Sequence, residues 1–158
     1  MQVIWAPWRM EYILSEKNSH CFLCEKLQDP EHDQENFVVY RGTGAFILLN
    51  LYPYNNGHLM IAPYAHVPSL RDLADEQLQE LFELTRRCEH ALTEAMQPEG
   101  FNVGINLGKA AGAGVEEHLH VHIVPRWSGD TNYITTLSNL RVIPQRLEET
   151  YRMLRSFF

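Results

Sequence analysis

Apolar residues along the chain fall into short runs divided by turn signals, with two longer stretches of helical period. Phe37–Tyr40 and Ala45–Leu51 are apolar runs joined by Arg41-Gly42-Thr43-Gly44, the pattern of a β-hairpin. Tyr52-Pro53-Tyr54-Asn55-Asn56-Gly57 is a turn cluster, and His58–Ala62 reads as a short strand stopped by Pro63. From Leu73 to Met96, Leu78, Leu81, Phe82, Thr85, Cys88, Leu92 and Ala95 recur at three- and four-residue steps. That period predicts a helix, with Asp75 capping its start and Pro98 and Gly100 marking its end. Phe101–Leu107 is a further strand, Gly108–Gly114 a small-residue loop, and Val115–Val124 strand-like up to Pro125. Pro144 suits the first position of a last helix, whose stripe is Leu147, Tyr151, Leu154 and Phe158. Leu27–Asn36 is polar, contains Pro30, and reads as a loop. Strands, helix, strands, helix is the order of an α+β fold with a mainly antiparallel sheet.

Length and charge narrow the function. A chain of 158 residues suits one domain with a real core. The formal net charge of -7 argues against a nucleic-acid backbone as partner, while a local pocket can still take a small anion. No apolar run approaches the roughly 20 residues that span a bilayer, so no membrane partner is expected. The first residues, MQVIWAPWRMEYI, lack the order of a signal peptide. Three cysteines, two of them as Cys21-x-x-Cys24, fit a reducing compartment, and the expected location is cytoplasmic. Cys88 lies on the apolar helical stripe and reads as a small buried hydrophobe. Trp5 and Trp8 are too large and apolar to be left in water, so they should pack on the body or on a second subunit.

Eight histidines are present, three of them in His118-Leu119-His120-Val121-His122. On a strand all three imidazoles share one face, and Leu119, Val121 and Ile123 share the other. Buried imidazoles each bring two nitrogens that need partners, which makes such a row a poor choice for a core. Two chemical readings remain. Three imidazoles can hold zinc, but along one strand they fan out over about 13 Å end to end. Alternatively the row handles an anion, with one neutral ring attacking phosphorus. Gly108-Lys109-Ala110-Ala111-Gly112-Ala113-Gly114 runs directly into the row, and small residues let backbone N–H groups approach anionic oxygens.

His118-x-His120-x-His122 followed by Ile123-Val124-Pro125-Arg126 resembles the signature of the HIT (histidine triad) superfamily of nucleotidyl hydrolases and transferases. The resemblance extends from about Cys21 to Trp127, through Asn50 before a turn, Gly57-His58, Asn102-x-Gly104-x-Asn106 and the Ala110–Gly114 loop. The ends, Trp5–Ile13 and Pro125–Asp130, look like the diadenosine-tetraphosphate phosphorylase branch. It implies a single HIT-like domain over residues 1–158, with extensions at 1–20 and 128–158.

The same resemblance implies an activity and a site. The substrate would be a dinucleoside polyphosphate, cleaved through a covalent nucleotidyl-His120 intermediate that inorganic phosphate or water resolves. Hydrolysis of the same or simpler AMP conjugates, and a silent nucleotide-binding module, are the alternatives. A metal-dependent enzyme using the triad as ligands is a third. His122 would contact phosphate oxygens and His118 would flank the site. Asn50 would contact the ribose, and His58, Asn106, Gly112, Gly114 and Val115 the phosphates. Several branches carry Ser or Thr where this chain has Val115, so backbone N–H groups must replace that hydroxyl. Cys21, Cys24, His66 and His118 match positions that bind structural zinc in some HIT proteins, with His20 a rival ligand; magnesium would arrive with the substrate. A homodimer is implied, paired through the long helix and a strand, with Trp5, Trp8, Phe157 and Phe158 as further anchors. His32 and His90 read as surface residues.

Overall fold

The computed structural model describes residues 21–130 and 142–158. Trp5, Trp8 and His20 lie outside the described residues. A short helix α1 (Phe22–Gln28) comes first, followed by a single 3-10 turn at Pro30–His32. Strands β1 (Val38–Arg41), β2 (Ala45–Leu49) and β3 (Leu59–Pro63) come next, then the long helix α2 (Asp75–Met96). Strands β4 (Gly100–Ile105) and β5 (Val121–Arg126) and the helix α3 (Leu147–Arg155) complete the described elements. The five strands form one antiparallel sheet in the order β1-β2-β3-β5-β4.

Side chains alternate across this sheet, and each parity builds its own layer. Val39, Ala45, Ile47, Leu49, Leu59, Ile61, Val121 and Ile123 pack against Leu81, Leu84, Cys88 and Leu92 of α2 and Tyr151 and Leu154 of α3. The other parity, Val38, Phe46, Leu48, Met60 and Ala62, is covered by Leu23 of α1. Met60 is the register partner of His122, so the histidine face is the α1 face. The core therefore lies under α2, and the chemistry lies on the far side of the sheet, beside a small helix that leaves part of it open.

Polar ties hold these layers in place. Arg41 donates to Asp33 at 2.7 Å and to the carbonyls of Lys26 and Leu27, which fixes the end of α1 to the hairpin. Glu80 of α2 accepts the Thr43 and Gly44 N–H groups, each at 2.7 Å, and so secures the hairpin turn from the other side.

Several details differ from the sequence reading. Residues 22–28 are helical, because Leu23 and Phe22 find an apolar face that no local period announces. Ala74, with Asp75 as first helical residue, precedes α2; Gln77 rather than Asp75 caps it, accepting the Ala74 N–H at 3.0 Å. Gln97, in the left-handed region, ends that helix. Phe82 is 62% exposed, while Leu84 and Ala91 take buried positions. Pro144 stands outside the last helix, which starts at Leu147. Phe158 is not a free anchor, since it packs on Tyr40 and under the Arg87 guanidinium; Phe157 does stay 40% exposed.

Candidate active site

The strand carrying the histidines begins later than expected. Val121 is its first residue, so His118 and His120 precede it and only His122 sits within it. The backbone explains why. The Leu119 N–H donates to the Val67 carbonyl at 2.7 Å, and the His118 carbonyl accepts the His120 imidazole at 2.9 Å. Those groups are thereby diverted from a sheet ladder. The three rings consequently do different jobs instead of forming an even row.

Each ring's neighbours fix its tautomer. His120 donates Nδ1–H to the His118 carbonyl, which leaves its Nε2 lone pair free to attack. His58 receives the Tyr54 N–H on Nδ1 at 3.1 Å, with the Asn50 amide 3.3 Å away. Its Nε2 must then carry the proton, and it donates to Nδ1 of His122 at 2.9 Å. That leaves His122 with Nε2–H, a donor available for an anionic oxygen. The His120 and His122 ring centres are 4.7 Å apart, so the two rings are direct neighbours. Burial, followed by the charge of His120, pushes the His122 imidazole down to about 4. It is neutral at pH 7 and acts as a hydrogen-bond donor, not as a fixed cation.

His118 faces away from this pair. Its Nε2–H donates to the Pro63 carbonyl at 2.8 Å, which points Nδ1 at the sulfurs of Cys21 (3.3 Å) and Cys24 (3.4 Å). His66 Nδ1 lies 3.2 Å from the Cys24 sulfur. All four donor atoms fall within 4.8 Å of one another. Ligands on a tetrahedral zinc are separated by roughly 3.3–3.8 Å, so two thiolates and two imidazoles in this arrangement fit such an ion. Burial is also the main cause that lowers the His118 imidazole, which keeps it neutral and able to ligate.

Other predicted residues take varied positions. Asn50 is half-buried beside His58, and its Oδ1 accepts the Tyr52 N–H at 2.9 Å. Asn106 is half-buried just beyond β4. Gly112 is exposed with a φ of 80°, Gly114 is exposed and Val115 half-buried, all within the loop that leads to His118. Lys109 begins a 3-10 turn in that loop and is exposed. His32 and His90 are exposed, and Cys88 is fully buried, where burial drives its thiol well up from its usual range. Tyr54 was not anticipated. Its ring centre stands 4.6 Å from that of His58 and 5.7 Å from that of His122, and its N–H sets the tautomer of the pair. Its place in the turn between Asn50 and His58 was the only available signal.

Comparison with known proteins agrees with this geometry. The model of the HIT domain matches residues 31–129. The AP-4-A phosphorylase of Mycobacterium tuberculosis is 44% identical, in an alignment covering 98% of this chain and 83% of that protein. The asymmetrical bis(5'-nucleosyl)-tetraphosphatase of Schizosaccharomyces pombe is 36% identical over 59% of this chain and 50% of its own. Among solved structures, a Zn-bound histidine triad family protein from Mycobacterium smegmatis superimposes with a TM-score of 0.69 at 30% identity, covering 87% of this chain and 91% of that one.

Proposed function

The chain belongs to the HIT family, and on that premise we propose that it cleaves a dinucleoside polyphosphate through a nucleotidyl group held on His120. The observation that carries the proposal is the tautomer pair: a free Nε2 lone pair on His120 beside an Nε2–H donor on His122. The His120 lone pair forms an N–P bond at the α-phosphorus while the bond from that phosphorus to the bridging oxygen breaks. The remaining nucleoside polyphosphate leaves with that oxygen. An oxygen of inorganic phosphate then attacks the same phosphorus, the P–N bond breaks, and a nucleoside diphosphate departs. Two in-line steps replace one difficult displacement. His122 donates to a nonbridging oxygen as negative charge builds there, and backbone N–H groups of Ala113, Gly114 and Val115 serve the same end, while the Gly112 N–H is taken by the Lys109 carbonyl at 3.0 Å and Gly112 shapes the turn. Asn50 holds the ribose, and Asn106 lies toward the phosphates.

The phosphorylase reading draws on the 44% identity to the mycobacterial AP-4-A phosphorylase. Hydrolysis is the second reading, favoured by similarity to the yeast tetraphosphatase, and it differs only in the acceptor. Diadenosine tetraphosphate incubated with and without inorganic phosphate separates them. ADP and ATP formed only with phosphate support phosphorolysis; AMP and ATP formed without it make the enzyme a hydrolase. Binding with no turnover rejects both.

The proposal includes zinc on Cys21, Cys24, His66 and His118. Bound there, zinc supplies a structural cross-link between α1 and the segment that orients His120. Magnesium would come with the substrate's phosphates. We also propose a homodimer working in the cytoplasm, where thiols stay reduced. Phe82 on α2 and Val103 on β4 are 62% and 52% exposed, and β4 is an edge strand. An exposed apolar group on an open sheet edge, as at Val103, and another on a helix face, as at Phe82, suit partner surfaces.

A further inference from the structure

The α1 face of the sheet is open on the β4 side of His122, and a cavity of about 360 Å³ begins there. Pro53, Tyr54, Asn55, Asn102, Val124 and Arg126 line it together with Asp130. Three features join it to the reacting histidines. Val124 is the next residue on His122's face of β5, and Asn102 is its register partner on β4. Tyr54 belongs both to the cavity wall and to the ring stack over His58 and His122. Gly104 is the register partner of His122, and a Cβ added there would meet nothing within 4 Å. The absence of a side chain at Gly104 leaves open space beside His122 on the strand that also carries Asn102.

The lining has the chemistry of a nucleoside site. Tyr54, Pro53 and Val124 give apolar and aromatic walls, and the Asn102 amide gives a neutral polar edge, while the Asn55 amide is held by the Pro125 carbonyl and Asp130 and serves as fixed wall. Such a mixture, with few charges and a volume in the range of small-ligand sites, suits a planar base. The cation is restrained. Asp130 holds Arg126 at 2.6 and 2.8 Å, and Asn102 accepts from it at 2.6 Å, so the guanidinium is a fixed wall with its charge largely offset. A site for phosphate alone would leave such a charge uncompensated. Val124 lies four residues beyond His120, about 13 Å along the strand. A polyphosphate starting at His120 would follow the strand past His122 and deliver its far nucleoside here.

We propose that this cavity is the subsite for the nucleoside of the leaving group, and that it selects dinucleoside over mononucleoside substrates. This rests on the function proposed above. The test compares kcat/KM for diadenosine tetraphosphate with that for the phosphoramidate of AMP, whose leaving group is too small to reach the cavity. Asn102→Trp fills the cavity from an exposed strand position, and Asn102→Ala removes the amide without adding bulk. The expected result for Asn102→Trp is a loss of about tenfold or more on the dinucleotide, mostly in KM, with the phosphoramidate changed by less than about twofold. Asn102→Ala gives a smaller loss of the same kind. Equal losses on both substrates, or no loss on either, overturn the subsite. A wild-type enzyme that cleaves the phosphoramidate but no dinucleoside polyphosphate overturns the proposed function as well. Dinucleotide cleavage untouched by both variants overturns the subsite alone.

Discussion

At the scale of single residues, the site works by assigning protons. One backbone N–H, from Tyr54, determines which nitrogen of His58 is bare, and His58 passes that choice to His122. In the proposed mechanism His58 is thus a positioning residue, and His122 the group that meets the substrate. His58→Ala should lower kcat by about tenfold to a hundredfold and leave KM within a few fold, since it frees the His122 ring to adopt the wrong tautomer. Steady-state kinetics at pH 7 would check this, and an unchanged kcat would dismiss the relay. The sequence made the identity of His118, His120 and His122 plain but not their division of labour. That division depends on the carbonyls of His118 and Pro63, which belong to the backbone and carry no mark in a list of side chains.

At the scale of elements, the catalytic segment is held from two directions. Strand periods and the α2 stripe were legible because burial on one face imposes a regular spacing, as with Ile47, Ile61 and Cys88. Helix α1 was not legible, since seven residues are too few for a period and its fold depends on tertiary contacts. The C-x-x-C spacing within it was legible as half a metal site, and the fold brings His66 and His118 to complete it. Removing zinc with a chelator, or Cys24→Ser, should lower the melting temperature by several degrees and loosen α1 before the β-sheet opens. Differential scanning calorimetry with metal analysis would show this; a chelated protein with an unchanged melt and no zinc in the untreated sample would refute it. Gly57 provides a second test. Its φ is 76°, and a Cβ there would stand 2.7 Å from the Met96 sulfur and 3.2 Å from Pro125. Gly57→Ala should cost about 1–3 kcal/mol in chemical denaturation, because both the backbone and the packing against α2 object.

At the scale of the whole molecule, one sheet separates stability from chemistry. The α2 face carries most of the apolar core, and the opposite face carries His122. His122 makes stability pH-dependent with a definite sign. Its imidazole titrates near 6.5 when unfolded and at about 4 when folded, so the folded state disfavours the proton. Its contribution is fully present above pH 6.5 and is lost as pH falls from there toward 4. Unfolding by urea at pH 7 and pH 5 should differ by about 2 kcal/mol from this group, and His122→Asn should remove that part of the difference. An equal pH dependence in the variant would show that other groups carry it. Among the described residues no helix is long and apolar enough to cross a membrane, and the proposed dimer would cover the exposed Phe82 and Val103. Analytical ultracentrifugation should give a dimer that Phe82→Glu weakens.

The proposed mechanism displaces the α-phosphorus twice, first by His120 and then by the acceptor. Each in-line displacement inverts the configuration at phosphorus, so two restore it. The most direct measurement uses a dinucleoside polyphosphate made chiral at the α-phosphorus by a phosphorothioate, with the configuration of the product determined. A nucleotidyl-His120 intermediate predicts retention, and His120→Ala should lower turnover by about a thousandfold or more. Inversion would mean a single direct displacement by phosphate or water and would contradict the account.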